Sequence, residues 1–61
     1  MSRFTVTLHE ETLDHLDCLI TNAYEAKENY LLKRYEEAAA NLDEVSGARK
    51  RAEVLINEMW E

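Results

Sequence analysis

Polar and apolar residues alternate with period two in one stretch of the chain, Arg3–Leu8. Its apolar positions are Phe4, Val6 and Leu8, and its polar positions are Arg3, Thr5 and Thr7. This alternation is typical of a half-buried β-strand and predicts a strand at about residues 3–8. No second strand pattern follows, so the strand needs a pairing partner from another chain. The simplest closed arrangement is a two-fold homodimer in which two copies of the strand pair antiparallel.

The remaining sequence is rich in helix formers and predicts helices at about residues 10–27, 30–45 and 48–60. An apolar stripe in the first of these consists of Leu13, Leu16, Ile20 and Ala23. The opposite side of the same helix holds Glu11, His15, Cys18 and Asn22. Their spacing would let several of these side chains face one metal ion, but no second cluster completes a closed site. We therefore expect a solvated helix face there and no metal site.

Two places compete for the break between the first and second helices. Lys27–Asn29 is favoured, because the apolar stripe meets polar residues there and Asn29 can cap a new helix. Thr21–Asn22 is the second choice, and the pattern also permits one continuous helix from Glu10 to Val45. Ser46–Gly47 is the clearest stop, because it contains the only glycine and a serine that can cap the next helix.

The length of 61 residues bounds the chain to one domain, 1–61, and a core of this size rarely supplies more than about 3–5 kcal/mol. Cys18 is the only cysteine and cannot form an intrachain disulfide, so oligomerisation is the remaining source of stability. The lone cysteine and the lack of a signal peptide or membrane-spanning run predict a cytoplasmic protein with no membrane partner. No phosphate-binding glycine loop, nucleophile motif or acid/base pair is present, so we expect no enzyme and no cofactor.

The opening strand and the acidic start of the following helix resemble the ribbon-helix-helix DNA-binding proteins of the methionine-repressor and Arc type. The segments that carry the resemblance are Arg3–Leu8 and Glu10–Asp17, with leucines three apart at 13 and 16. The resemblance implies a homodimer that inserts a two-stranded antiparallel ribbon into the major groove of double-stranded DNA. It also implies that Arg3, Thr5 and Thr7 face the bases, where arginine pairs with guanine and threonine contacts thymine. The expected fold class is mostly α with one N-terminal β-strand: a ribbon-helix-helix-like homodimer with an extra helix per chain.

The sequence departs from that family after the first helix, where the family has a glycine turn and a basic helix start. Either the second family helix begins near Asn29, with Lys33 and Arg34 near the DNA backbone, or it begins at Ser46 after an inserted helix. The second assignment is favoured, because Ser46 supplies a cap and the only basic cluster follows it. Ser46, Arg49 and Lys50 are then the expected phosphate contacts. Pairing of this cluster with nearby carboxylates, Glu53 among them, is the competing explanation.

The leading functional prediction is a dimeric double-stranded DNA-binding protein that acts as a transcriptional regulator of viral or plasmid type. Its weak point is the formal charge of −6, which works against attraction to phosphates. The alternative is a protein-interaction or dimerisation module, such as an antitoxin or adaptor. This module would dock a partner through its acidic helices and through Tyr24, Tyr30 or Trp60. A metal-sensing regulator that uses His15 and Cys18 is a third hypothesis.

Overall fold

The computed structural model describes the backbone of residues 3–60 and the side chains of residues 6–59. Two helices account for nearly all of it: α1 (Arg3–Leu31) and α2 (Tyr35–Trp60). The three-residue connection at 32–34 turns the chain back, so the helices lie antiparallel as a hairpin. The Cα trace of the hairpin extends over 46 × 14 × 11 Å, and its length follows from the 29 residues of α1 at about 1.5 Å per residue.

The predicted N-terminal strand is wrong, because residues 3–8 form the first turns of α1 and the described residues contain no strand. The ribbon-helix-helix fold, with its paired ribbon and its extra helix, is therefore also wrong. Alternation over six residues is a weak signal, and an unpaired strand leaves backbone groups unsatisfied, whereas a helix pairs them within the segment. The helix also places Leu8 against α2 with only 7% of its surface exposed.

The end of α1 is set by a left-handed residue at Lys33, whose φ is 62°. The Lys33 amide donates to the Tyr30 carbonyl at 3.0 Å, and the Arg34 amide donates to the Asn29 carbonyl at 2.8 Å. This pair of bonds is a Schellman motif, which satisfies the last carbonyls of a helix. The helix therefore ends beyond both predicted breaks, and Asn29 lies inside α1 without capping a new helix.

The start of α2 lacks a good side-chain cap. Arg34 holds the N-cap position, because its carbonyl accepts the first helical bond from the Ala38 amide at 3.0 Å. An arginine side chain has no acceptor for the free amides of the first turn. Glu36 and Glu37 lie in that turn, where carboxylates interact favourably with the helix dipole.

The predicted stop at Ser46–Gly47 is also wrong, because both residues lie in the middle of α2. Gly47 does not have a positive φ, and glycine inside a helix costs only about 1 kcal/mol relative to alanine. The Arg51 guanidinium lies over the open side of Gly47, where an added Cβ would be 3.2 Å from Nη1. With no turn here, the predicted second and third helices form one helix.

The helices meet along a seam of residues spaced alternately three and four apart, the spacing of antiparallel coiled coils. The seam of α1 consists of Leu8, Thr12, His15, Leu19, Asn22, Ala26 and Asn29. The seam of α2 consists of Ala38, Asn41, Val45, Ala48, Ala52, Leu55 and Met59. All of these side chains are buried or half-buried.

The seam is unusually poor in large apolar side chains. Its buried members are Leu8, Ala26, Ala38, Ala48 and Ala52, together with Thr12. The Thr12 hydroxyl donates to the Leu8 carbonyl at 2.7 Å, which satisfies it inside the seam. No large side chain among residues 6–59 is fully buried. The small side chains allow close helix packing but supply little hydrophobic stabilisation.

Candidate interaction surface

The predicted base-contacting residues do not form a reading surface in this fold. Positions 3, 5 and 7 lie in the helix α1, where alternate residues point about 200° apart, so they no longer share one face. The side chains of Arg3 and Thr5 lie outside the described residues, and Thr7 is exposed on α1. DNA contact by these residues stays a prediction, but the strand pairing on which it depended is absent from the described chain.

The predicted phosphate contacts lie along the middle of α2, with all three side chains exposed. Ser46 does not begin a helix, so no free backbone amides are available beside it to bind an anion. Arg49 Nη1 is paired with Glu53 Oε2 at 2.7 Å, one helical turn away. Arg49 is therefore paired with a nearby carboxylate, as the alternative to phosphate contact expected. Phosphate contact by Ser46, Arg49 and Lys50 stays a prediction.

The side of α1 that holds His15, Cys18 and Asn22 faces α2, although the sequence predicted a solvated face. All three side chains are half-buried, and Asn22 Nδ2 donates to the Cys18 carbonyl at 3.0 Å and lies 3.4 Å from Cys18 Sγ. No group of three or more potential metal-binding side chains comes together in the part of the chain that the structure describes.

A broad apolar face runs along one side of the hairpin. Its members directly follow the seam residues in sequence, so they lie about 100° around each helix from the seam. In α1 they are His9, Leu13, Leu16, Ile20, Ala23, Lys27 and Tyr30. In α2 they are Ala39, Leu42, Ser46, Arg49, Glu53 and Ile56, and Tyr35 extends this line by one helical turn at the start of the helix. We call this set the apolar face.

Contacts between the helices show that the two halves of the apolar face lie on the same side. The rings of Tyr30 and Tyr35 meet at the turn with centroids 5.9 Å apart and planes tilted by 59°. Nearer the other end, Leu16 of α1 and Ile56 of α2 line one groove of about 270 Å³. Arg49 and Glu53 line the same groove, so the two halves of the face meet there through charged as well as apolar side chains.

Most large side chains of the apolar face are strongly exposed, and Leu16 is half-buried. Leu13 is 47% exposed, Ile20 63%, Leu42 58% and Ile56 43%. The exposed fractions of Tyr30 and Tyr35 are 63% and 59%. The apolar stripe that the sequence assigned to an intrachain core thus points in large part to solvent. Contiguous exposed apolar surface of this kind is typical of a protein–protein contact.

The opposite side of the hairpin is acidic. Its members directly precede the seam residues, and its charged positions are Glu11, Asp14, Glu25, Glu28, Glu37, Glu44, Glu58 and Arg51. We call this side the acidic face. Seven carboxylates against one guanidinium give it a charge of −6, equal to the formal net charge of the whole chain. The two sides of one small hairpin therefore differ sharply in charge and hydropathy.

The acidic face contains one cleft of about 310 Å³, with an apolar floor from Val54 and Leu55. Glu11, His15, Lys50 and Arg51 line its rim. The described helices include none that is long and apolar enough to cross a membrane. No protein-family model, curated protein or solved structure matches the chain.

The sequence contains a second line of apolar residues that predicts the apolar face, beside the line that forms the seam. In α1, two adjacent lines of residues both repeat at three-and-four spacing, one through Leu8 and Leu19 and the other through Leu13 and Ile20. A helix that has two such lines needs two packing partners, and a hairpin supplies only one. Counting both lines would have predicted an unpartnered face.

Proposed function

We propose that the protein is a helical interaction module, which acts by packing its apolar face against another polypeptide chain and not by catalysis. The observation that supports this most strongly is the exposure of Ile20, Leu42 and Ile56 on the apolar face. Full burial of each such side chain contributes about 1.5–3 kcal/mol, so covering the surface is strongly favourable. The amphipathic shape matches helix-in-groove and bundle recognition, in which apolar side chains at helical spacing supply the contacts.

The contact surface of this proposal differs from the one that the sequence suggested. The sequence placed a partner against the acidic helices and against Tyr24, Tyr30 or Trp60. The apolar face shares Tyr30 with that prediction but excludes Tyr24 and the acidic side. Charged residues are depleted at the centres of protein interfaces, and aromatic residues are enriched there. The acidic face is better suited to remain in water, where its carboxylates keep the module soluble.

The DNA-binding hypothesis has no comparable support among the described residues. It required a two-stranded ribbon, and that segment is helical. It also required a basic surface, whereas the chain has a formal net charge of −6. For these reasons the interaction module is the function that we propose.

Site-specific photocrosslinking tests the module without assuming which chain is bound. A photoreactive phenylalanine analogue replaces Leu42 on the apolar face in one variant and Val54 on the acidic face in the other, in cells that make the protein. The two positions are a matched pair, because both are aliphatic residues of α2 with exposed fractions of 58% and 56%. We expect a crosslinked polypeptide from position 42 and none from position 54. Equal crosslinking at both positions, or none at position 42, would contradict the proposal.

A further inference from the structure

We infer that the chain covering the apolar face is a second copy of this protein, so that two hairpins form a four-helix homodimer. This inference rests on the proposed function and names the partner of the same surface. The expected dimer differs from a ribbon dimer, because it joins the long sides of the helices and leaves the N-terminal segment out of any sheet. Four observations support a second copy: the surface area, the small side chains of the hairpin core, the charge of the face and the angle between the seam and the face.

The surface of the single hairpin is too large for a folded monomer of its mass. The hairpin exposes 4926 Å², whereas a folded monomer of 7.1 kDa is expected to expose about 4,100 Å². The excess of about 800 Å² per chain equals the area that each partner buries in a protein interface of standard size. A contact between two copies that buries this area would therefore bring the exposed surface of each chain to the value expected for its mass.

The core of the single hairpin consists mostly of small side chains, and the larger seam residues Leu19, Val45, Leu55 and Met59 are only half-buried. Of its buried apolar residues, four are alanines and only Leu8 is larger. Long helices depend on packing of an apolar face more than on their own propensity, so the fold and the contact should form together. A partner needed for folding must be present whenever the chain is made and in equal amount. A second copy of the chain meets both conditions without any other protein.

The charge of the apolar face permits contact with its own copy. Its charged members are Lys27, Arg49 and Glu53, and the last two already form an ion pair. A two-fold contact brings identical surfaces together, so a face with many charges of one sign would repel its copy. Here seven carboxylates lie on the acidic face, at the outer surface of the proposed bundle, and only Glu53 lies on the apolar face. The distribution of charge therefore favours self-association through the apolar face and disfavours it through the acidic face.

The geometry of the seam and the face also agrees with a four-helix bundle. In such a bundle each helix contacts two neighbours, and its two contact lines lie roughly at right angles. In this chain the seam and the apolar face are separated by about 100° around each helix. The seam supplies the contact within the hairpin, and the apolar face supplies the contact with the second hairpin.

Sedimentation equilibrium and thermal unfolding of the purified full chain test the inference. We expect a mass of twice 7.1 kDa and a melting temperature that rises as the protein concentration is raised from about 1 to 200 μM. Ile20→Glu and Leu42→Glu should each weaken the dimer by about 100-fold or more, because every dimer loses two buried apolar side chains. Thr21→Glu and Ala40→Glu are the matched controls, since they add the same charge one or two residues away on the acidic face and should leave the mass unchanged.

A variant that fails to fold would still be informative. If Ile20→Glu is unfolded, the milder Leu42→Ala should remain helical at high concentration and should show a lower melting temperature than wild type at every concentration. A mass of 7.1 kDa at about 200 μM with a melting temperature independent of concentration would overturn the second copy as partner. Equal dissociation by the control variants would also overturn it. The interaction module itself would survive a monomeric result if crosslinking at position 42 captured a different polypeptide, so the two proposals fail separately.

Discussion

Asn29 of α1 donates a 2.8 Å hydrogen bond from Nδ2 to Oδ1 of Asn41 in α2, across the seam of the hairpin. Asn41 Nδ2 in turn lies 3.1 Å from Asn22 Oδ1 and 3.2 Å from Glu25 Oε2. One side chain of α2 is thus held by three side chains of α1 over two helical turns. Because these bonds form only when the two helices are correctly aligned, Asn41 fixes the register of the hairpin.

Replacement of Asn41 by alanine should lower the free energy of unfolding by about 1–2 kcal/mol, because it leaves part-buried amide groups of Asn22 and Asn29 without their partner. Urea unfolding followed by circular dichroism at a fixed protein concentration measures this change. Asn57→Ala is the matched control, since Asn57 is an exposed residue of the same helix. The control should change stability by less than about 0.5 kcal/mol. Equal losses in the two variants would show that the register bonds contribute nothing.

Lys33→Gly should raise the free energy of unfolding by about 1 kcal/mol. Lys33 has a φ of 62°, a conformation that glycine adopts without the steric penalty of a side chain. Lys27→Gly makes the same substitution inside α1 and should instead lower stability by about 1 kcal/mol. Opposite signs for the two variants are the expected result. A loss of stability at position 33 would mean that the turn does not determine the end of α1.

Arg34→Ser should also stabilise the protein, by about 1 kcal/mol, because it gives α2 a capping box. The serine hydroxyl would accept a bond from the amide of Glu37, and the Glu37 carboxylate can reach back to the amide of residue 34. Arg34→Ala removes the same arginine without adding an acceptor, so it isolates the effect of the cap. The melting temperature should rise for serine relative to alanine. Identical values would place the N-terminus of α2 elsewhere.

The sequence predicted the helical character of most of the chain, because strong helix formers dominate after residue 9 and apolar residues recur at helical spacing. It could not predict the turn, because Lys33 has none of the glycine, asparagine or proline chemistry that marks turns. The strand prediction was wrong because Leu8 also belongs to a line of residues at helical spacing that continues through Thr12 and His15. Six alternating residues could not distinguish the two.

The side chains of the apolar face could be predicted to form a stripe, but their position outside the core of the hairpin could not be predicted. Leu13, Leu16 and Ile20 were recognised as a stripe and were assigned to the interior. In the structure, the small residues of α2, with Ala48 fully buried and Ala52 at 3% exposure, pack against the neighbouring line of α1. That choice depends on the fit between two helices, which a pattern along one helix does not contain. In the proposed homodimer the stripe becomes interior after all, between chains.

Gly47→Ala should increase the free energy of unfolding by about 0.5–1 kcal/mol. Gly47 lies in the interior of α2, where alanine is the better helix former by about 1 kcal/mol. The new methyl group would meet Arg51 Nη1 at 3.2 Å, but this is the far end of a flexible, exposed side chain that can move by a few tenths of an ångström. Gly47→Ala combined with Arg51→Ala removes that contact and controls for its cost. A helix break at residue 47 would give the opposite sign, because alanine would then replace a glycine that the turn requires.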